Sequence, residues 1–251
     1  MAPDHYDKAP IIEAIIDLRV TVPSGTSAIS IAEGLSALRD RFPKRQEMPA
    51  LPGLQFQFGP NAASIMAAGP SLGGIRYTSK DKQRMVQARI DGFVFSLLPQ
   101  YDRWESFRDE AKELWDIYRK ACNPLKVTRA AIRYVNRFDL PGDQPIELKD
   151  YFSTFPEVSG RMSQSALNGF SLQLHIPQPD IKAMLILNQA RVPPPMEDMV
   201  SILLDIDLFR ENMDLEATDE EQLWGLLEQM RVRKNEVFEA SITDKSREVI
   251  R

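Results

Sequence analysis

Alternating apolar and polar residues mark the first element of the chain. Over Pro10–Val22 the apolar side chains fall on every second position, a period typical of a strand with one buried face. Over Ile31–Phe42 the apolar spacing changes to that of a helix, and Ser30 with Glu33 predicts a capping box at its start. The chain is therefore predicted to open with a strand followed by a helix.

A run of short strands and a second helix come next. Four strands are predicted, at Leu54–Phe58, Ile75–Ser79, Met85–Ile90 and Phe93–Leu98. Asp91-Gly92 separates the last two and is a strong hairpin signal. The apolar stripe at 104–118 predicts a helix that begins with a capping box of Asp102 and Glu105 and stops at Asn123-Pro124. The first half thus consists of a strand, a helix, antiparallel strands and a helix.

The second half repeats this order. It begins with a long strand at Val127–Leu140, and a short helix is expected around Leu148–Phe155. Three strands follow, at Phe170–Ile176, Ile181–Ala190 and Val200–Phe209. A last helix opens at Thr218 and Glu221, and the polar residues around Thr243-Asp244 predict a break near its end.

These elements predict an α+β fold of two similar halves, residues 1–124 and 125–251, which could also form one continuous domain. Two layers, a curved antiparallel sheet with the helices on one face, would bury every apolar stripe. The element order is analogous to the saddle-shaped architecture of the TATA-binding protein. An analogy of fold carries no function.

Charge and composition limit the cellular compartments and the classes of binding partner that we expect. The chain has 31 basic and 36 acidic residues and a net charge of −5, which disfavours general binding to nucleic-acid phosphates or anionic membranes but leaves room for a local basic patch. Cys122 is the single cysteine, the first residues lack the apolar run of a signal peptide, and no apolar stretch approaches the roughly 20 residues of a membrane span. We therefore expect a protein of the reducing cytoplasm.

Charged side chains gather on one face of three predicted strands. Arginines spaced by four share one side of the strand at 127–140, namely Arg129, Arg133 and Arg137. Carboxylates have the same alternation on two other strands, namely Glu13, Asp17, Asp205 and Asp207. Guanidinium groups on an open face would bind carboxylate or phosphate. The alternative is that these charges neutralise one another across neighbouring strands.

Other chemical motifs are weak. Asp205 and Asp207 could hold Mg²⁺ beside phosphates, but no Gly-Ser turn precedes them. The letters of Gly69-Pro70-Ser71-Leu72-Gly73 match a nucleophile elbow, yet a strand rather than a helix is predicted after them. Cys122 lies at a helix end, where a buried apolar role is expected. No zinc spacing, phosphate-binding loop or dinucleotide fingerprint is present, so no metal or cofactor is predicted.

Two further groups have both a structural and a functional interpretation. Trp104, beside Pro99-Gln100-Tyr101, is a core residue or an aromatic rim facing a cleft. Lys234-Asn235 with Asp244 terminates a helix or reaches back over the sheet.

Five segments together resemble a sporadically distributed prokaryotic protein family of about this length. They are Lys8-Ala9-Pro10-Ile11-Ile12-Glu13-Ala14, Leu98-Pro99-Gln100-Tyr101 through Trp104, Ile132-Arg133-Tyr134-Val135-Asn136-Arg137, Leu204-Asp205-Ile206-Asp207, and Lys234-Asn235 through Ile242-Thr243-Asp244. Gln100 departs from the family, in which a proline is expected. The family has no settled biochemical role, so the resemblance implies only an accessory or defence-related context.

We expect a cytoplasmic binding or interaction protein rather than an enzyme, with an anionic small molecule or a protein as its partner. It would use the faces of Arg133, Arg137, Glu13 and Asp17. The first alternative is a Mg²⁺-dependent enzyme or binder of a phosphorylated small molecule or nucleotide, with Asp205 and Asp207 on the metal. A further alternative is nucleic-acid binding on the sheet, against which the acidic run Glu211–Glu221 argues.

Overall fold

Two strands that start the two halves of the chain pair with each other at the middle of one antiparallel sheet. A computed structural model of the 251-residue protein describes residues 6, 8–49, 58–59, 62–63, 72–99, 101–142, 146–163 and 167–251. The elements before residue 125 are β1 (Ile11–Thr21), α1 (Ala28–Gly34), β2 (Lys44–Pro49), β3 (Phe58–Gly59), β4 (Ala62–Ala63), β5 (Leu72–Thr78), β6 (Arg84–Arg89), β7 (Gly92–Leu97) and α2 (Trp104–Cys122). The elements after it are β8 (Lys126–Pro141), α3 (Leu148–Tyr151), β9 (Ser171–Gln178), β10 (Ala183–Val192), β11 (Met199–Arg210), β12 (Leu215–Glu216), α4 (Glu220–Ser241) and α5 (Asp244–Ile250).

Ten of the described strands form one open sheet in a mixed α and β fold with five described α-helices. The strand order is β2-β5-β6-β7-β1-β8-β11-β10-β9, and β12 pairs with the start of β8. Every pairing in the sheet is antiparallel, including that of β1 with β8, in which Ala14 lies opposite Tyr134. The predicted antiparallel sheet is therefore confirmed for the described part of the chain.

Alternation along the central strands separates a buried face from a charged one. Ala14, Ile16 and Leu18 of β1 are completely buried, because this face packs under the helices. Aromatic contacts show the packing, since Phe93 of β7 meets Trp115 of α2 and Phe138 of β8 meets Phe238 of α4, with ring centroids 5.8 and 6.3 Å apart. The side chains between them point to the opposite side of the sheet.

The predicted starts of three helices are wrong in detail. The capping box of α1 joins Ser27 with Ser30, because the Ser27 hydroxyl accepts from the Ser30 amide and the Ser30 hydroxyl accepts from the Ser27 amide. At α2 the N-cap is Arg103, which makes no side-chain capping bond. At α4 the N-cap is Asp219, which accepts from the amide of Gln222. At α1 and α4 several short polar residues stand close together, so periodicity alone did not select the one that caps the helix.

Other predicted elements have different outcomes. The hairpin between β6 and β7 is confirmed, although its two-residue loop is Ile90-Asp91 and Gly92 already pairs with Arg89. The strand β2 was not predicted, because its residues are polar and almost all exposed at the sheet edge and show no alternation. The break before Asp244 is confirmed, since α4 ends at Ser241 and Thr243 caps α5. The strand expected at 54–58 lies almost entirely outside the described residues, and residues 69–71 and Gln100 lie wholly outside them.

Among the described helices, none combines the length and the apolar character that crossing a membrane requires.

Close packing of α1 on α2 predicts opposite effects for two glycine substitutions. A Cβ on Gly34 would lie 2.6 Å from the Cβ of Ala121 and 2.9 Å from its Cα, so Gly34→Ala should lower the free energy of unfolding by about 1–3 kcal/mol through overpacking. Gly225 lies inside α4 with open space around it, so Gly225→Ala should raise that free energy by about 0.5–1 kcal/mol. Urea unfolding of the two variants measures both changes, and equal shifts in one direction would contradict the packing argument.

Candidate functional site

The predicted charged residues lie on the sheet face that points away from the helices, here termed the charged face and formed by Glu13, Asp17, Arg129, Arg133, Arg137, Asp139, Asp205 and Asp207. At its centre Arg133 of β8 donates two hydrogen bonds to Asp205 of β11, of 2.8 and 2.7 Å. Asp205 is only 3% exposed, and its Oδ2 also accepts from Asn188 Nδ2 at 3.0 Å. Both oxygens of this carboxylate therefore accept hydrogen bonds from side chains on the neighbouring strands.

The hydrogen-bond network continues from Asp205 to the edge of the sheet. Asn188 Oδ1 of β10 accepts from Gln173 Nε2 of β9 at 2.8 Å. The side-chain oxygen of Gln173, Oε1, lies 3.2 Å from Nε2 of His175. A polar chain thus crosses four adjacent strands on one face, as the register of Asn188 opposite both Asp205 and Gln173 requires.

Asp17 of β1 lies between two arginines. Its carboxylate is 3.1 Å from Arg19 and 3.4 Å from Arg129, and the guanidinium of Arg129 also stacks 4.6 Å from the ring centroid of Phe209. Burial raises the pKa of the nearby Asp207 carboxyl, an effect that the charges of Arg129 and Arg133 oppose. Asp17 and Asp207 therefore belong to one electrostatic cluster with these arginines.

The other two predicted residues, Arg137 and Glu13, lie at the periphery of this electrostatic cluster. Arg137 pairs with Asp139 on its own strand at 3.1 Å, and Asp139 accepts from the Ser201 hydroxyl at 2.5 Å. Glu13 acts on Arg133 through its charge, and no ion pair of Glu13 occurs among the described residues. Each of the arginines Arg129, Arg133 and Arg137 has a carboxylate partner. The pairs of Arg129 and Arg133 join neighbouring strands, as expected of cross-strand neutralisation, whereas that of Arg137 lies within β8.

The structure offers no larger ligand set for a metal beside Asp205 and Asp207. In the described ranges, no group of three or more histidine, cysteine, aspartate or glutamate side chains converges as a metal site would require. Cys122 is buried, and burial raises the pKa of its thiol to about 11, as expected for a packing residue rather than a nucleophile.

A cavity of about 420 Å³ lies on the opposite, helix-covered side of the sheet. We term it the Lys234 pocket. It is lined by Tyr6, residues 8–11, residues 101–105, Asn136, Arg231, Lys234, Asn235, Phe238 and Glu239. Neither Arg133 nor Arg137 lines this cavity. Asn136 does line it because it follows the opposite alternation on the same strand.

Four of the five segments on which the predicted family resemblance depends contribute to these walls, and the fifth supports them. Asn136 is 2% exposed, and its Nδ2 donates to the carbonyl oxygen of Leu204 at 3.0 Å. Leu204 begins the segment Leu204-Asp205-Ile206-Asp207. The five segments are far apart in the sequence, and this pocket is the place where they meet.

Lys234 is an unusual cation. Its Nζ lies 4.0 Å from the ring centroid of Tyr134, and no hydrogen bond or ion pair among the described residues includes its ammonium group. Burial, followed by the repulsion of Arg231, lowers the pKa of Lys234 to about 7, and Glu239 opposes the shift. At neutral pH this side chain is therefore divided between amine and ammonium.

Two glutamates of α4 beside the pocket are bonded to other residues. Glu239 accepts from the hydroxyl of Tyr6 at 2.9 Å and from Arg247 at 3.1 Å. Glu228 accepts from the indole of Trp104 at 2.5 Å and lies 3.6 Å from Arg231. Asp102 and Glu105 also line the cavity, but no ion pair or hydrogen bond among the described residues joins either of them, or Glu239, to Lys234.

Two tyrosines lie beside Lys234: Tyr101, which lines the cavity and is half-buried, and Tyr134, whose ring lies under the lysine. The hydroxyls of Tyr101 and Tyr134 lie 3.2 Å apart, and Tyr134 is completely buried. Burial raises the pKa of Tyr101 to about 12 and that of Tyr134 well above its ordinary value. Both hydroxyls therefore remain protonated at neutral pH.

Sequence reasoning singled out parts of this pocket without joining them. It raised Trp104 as a cleft rim and Lys234-Asn235 as a group that reaches over the sheet, and both line the cavity. Arg231 and the aromatic support of Lys234 were missed, because the contact of α4 with β8 is a tertiary one. Comparison with protein-family models and with curated proteins finds no match to this chain.

The Arg133–Asp205 pair predicts a recoverable loss of stability. Arg133→Met leaves the buried carboxylate of Asp205 with a single amide donor, so the free energy of unfolding should fall by about 2 kcal/mol. This is less than the usual cost of breaking a buried ion pair, because the side chain of Arg133 is half exposed. The double variant Arg133→Met/Asp205→Leu should recover most of this loss. Arg137→Met, whose partner keeps its bond from Ser201, is the control and should change the value by less than about 1 kcal/mol. A double variant no more stable than the single one would contradict the pairing argument.

Lys234 predicts a stability difference that depends on pH. Because the folded-state pKa of about 7 is below the ordinary value of 10.5, the folded protein bears the whole cost of the buried charge below pH 7, and this cost is relieved between pH 7 and 10.5. Lys234→Met should therefore be more stable than the parent by about 2 kcal/mol at pH 6, and the gain should shrink as the pH rises. Chemical unfolding at several pH values measures it.

Lys245→Met is the control, because the pKa of Lys245 is raised by its bond to Asp150. It should show no gain at pH 6. A gain for Lys234→Met that stays constant from pH 6 to pH 10 would show that Lys234 titrates normally.

Proposed function

We propose that this protein is a binding protein whose Lys234 pocket receives a small anionic molecule. The observation that carries the proposal is the pair of Lys234 and Arg231 on the wall of a cavity of about 420 Å³, with Lys234 unpaired among the described residues. A volume of this size suits a metabolite-sized ligand. The expectation of a binding protein with an anionic partner thus remains a proposal, with its site moved from the charged face to the pocket.

Electrostatics favours an anion in this place. A cation that is partly withdrawn from water without a counter-charge is costly, and the lowered pKa of Lys234 reflects that cost. A carboxylate or phosphate would supply the missing partner and would gain charge-assisted hydrogen bonds from Lys234 and Arg231. The amide of Asn235 on the wall would add direction to the contact.

The charged face has a structural role in this proposal. Its arginines are held by Asp205, Asp17 and Asp139, so an incoming phosphate would have to displace them. No observation on the described residues favours the Mg²⁺-dependent alternative. The alternating signs on the face also argue against a nucleic-acid backbone as its ligand.

We propose in addition that the two halves of the chain arose by duplication and share a saddle-like arrangement. The support is the strand order, because β1-β7-β6-β5 in the first half matches β8-β11-β10-β9 in the second. Superposition of the two halves tests this, and a mismatch in strand direction or in the positions of α2 and α4 would contradict it. We also propose the reducing cytoplasm as the compartment, which suits the buried thiol of Cys122.

Anion binding can be measured directly. Inorganic phosphate, succinate and citrate are titrated into the protein at pH 7 and followed by thermal unfolding and calorimetry. At least one anion should stabilise the fold, by about 2.7 kcal/mol at a hundred times its Kd. Lys234→Met and Arg231→Met should each weaken this binding by about tenfold or more.

Arg233→Met is the matched control, because it removes a charge from the same helix at a residue that pairs with Asp180 and Glu236 outside the pocket. It should leave the affinity unchanged. Equal weakening by Arg233→Met, or stabilisation of the parent by none of the three anions, would refute the proposed function.

A further inference from the structure

Lys234 is placed to act as a nucleophile as well as a cation. Its Nζ lies over the ring of Tyr134, beside a cavity open to a ligand, and no described carboxylate pairs with it to hold the proton. A desolvated lysine next to a second cation is the arrangement in which the amine form is available at neutral pH. Arg231 is that second cation here.

We propose that Lys234 forms an imine with an anionic aldehyde bound in the pocket. The inference rests on the proposed function, because Arg231 would hold the anionic group of the ligand while the carbonyl carbon meets Nζ. The ligand class is an aldehyde that carries a carboxylate or a phosphate.

The step is a condensation and balances without any oxidant or reductant. The lone pair of the Lys234 amine adds to the carbonyl carbon, and a proton moves from nitrogen to the oxygen to give a carbinolamine. The carbon–oxygen bond then breaks, water leaves with the second nitrogen proton, and the carbon–nitrogen double bond forms. Tyr101 lines the pocket with its protonated hydroxyl bonded to that of Tyr134, so this pair can donate to the departing oxygen.

The charged and titratable groups that face Lys234 come from each packed element. Arg231 and Glu239 lie on its own helix and Tyr134 lies on β8. Tyr101 precedes α2, Asp102, Arg103 and Glu105 stand at the start of that helix, and Lys8 precedes β1. Glu239 is already bonded to Tyr6 and Arg247. Among the described residues no ion pair joins Lys234 to Asp102, Glu105 or Glu239, so no direct carboxylate contact offsets the repulsion of Arg231.

A second lysine provides an internal comparison. Lys245 Nζ lies 4.5 Å from the ring centroid of Tyr151, much as Lys234 lies over Tyr134. Lys245 also pairs with Asp150 at 3.1 Å and is half exposed. Since its carboxylate partner stabilises the ammonium form, Lys245 should remain unreactive under the same conditions.

Reductive trapping tests the inference. The full-length protein is incubated at pH 7 with glyoxylate or succinic semialdehyde and sodium cyanoborohydride, and labelled lysines are located by peptide mass spectrometry. Lys234 should be labelled at least about tenfold faster than Lys245, because far more of it is in the amine form. Lys234→Arg should abolish this fast phase and Lys245→Arg should leave it intact. Propionaldehyde, which has the carbonyl but no anion, should label Lys234 more slowly.

A protection experiment on the parent protein keeps the test independent of any folding defect in Lys234→Arg. An anion that stabilises the parent protein should slow labelling of Lys234 and leave labelling of Lys245 unchanged. Labelling spread evenly over the lysines, or a fast phase that survives in Lys234→Arg, would overturn the imine. If anions bind with the predicted dependence on Lys234 and Arg231 but no fast adduct forms, the imine inference fails and the binding function stands.

Discussion

The alternation of side chains across a sheet is the constraint on which the rest of this protein depends. On β8, Arg133 points to one side and Tyr134 to the other, so a single strand serves two chemically different surfaces. The strand is central, between β1 and β11, and both of its faces are therefore crowded. Each charged or polar residue on it must find a partner on neighbouring strands or on the helices.

The two faces of the sheet differ in how their charged side chains are paired. On the charged face, Asp205 has a bidentate arginine and an amide, and this network leaves little for a ligand to gain. Under the helices, Lys234 has an aromatic ring in place of a carboxylate. The ammonium group and the ring attract each other, but the ring carries no net negative charge. The charge of the ammonium group is therefore not neutralised, and a bound anion would neutralise it.

Much of the fold could be predicted from the sequence, because period-two segments and turn residues identified most strands of the sheet. The segments at 10–22 and 127–140 became β1 and β8 with small changes of boundary. Polar β2 could not be predicted, since an exposed edge strand buries no side-chain pattern. Helix caps were also missed, because Ser27 and Ser30 differ only in the local backbone that each adopts.

The candidate site was harder to predict for a related reason. Clusters of charge are visible in a sequence, and they led to Arg133 and Asp205, which neutralise each other. A lysine without a carboxylate partner has no such signature, because its pKa depends on which groups surround it in the folded chain. The contact of Lys234 with Tyr134 joins residues one hundred positions apart, and only the tertiary structure places Arg231 and Tyr101 at the same cavity.

The pairing of β1 with β8 also has a consequence for how the chain acquires its fold. β1 ends at Thr21, while the strand that covers one of its edges begins at Lys126. A ribosome must therefore synthesise more than a hundred residues before that edge can be closed, and such distant contacts form slowly. Until then the nascent first half exposes the unpaired backbone N–H and C=O groups of one edge of β1, the kind of surface that chaperones protect from aggregation.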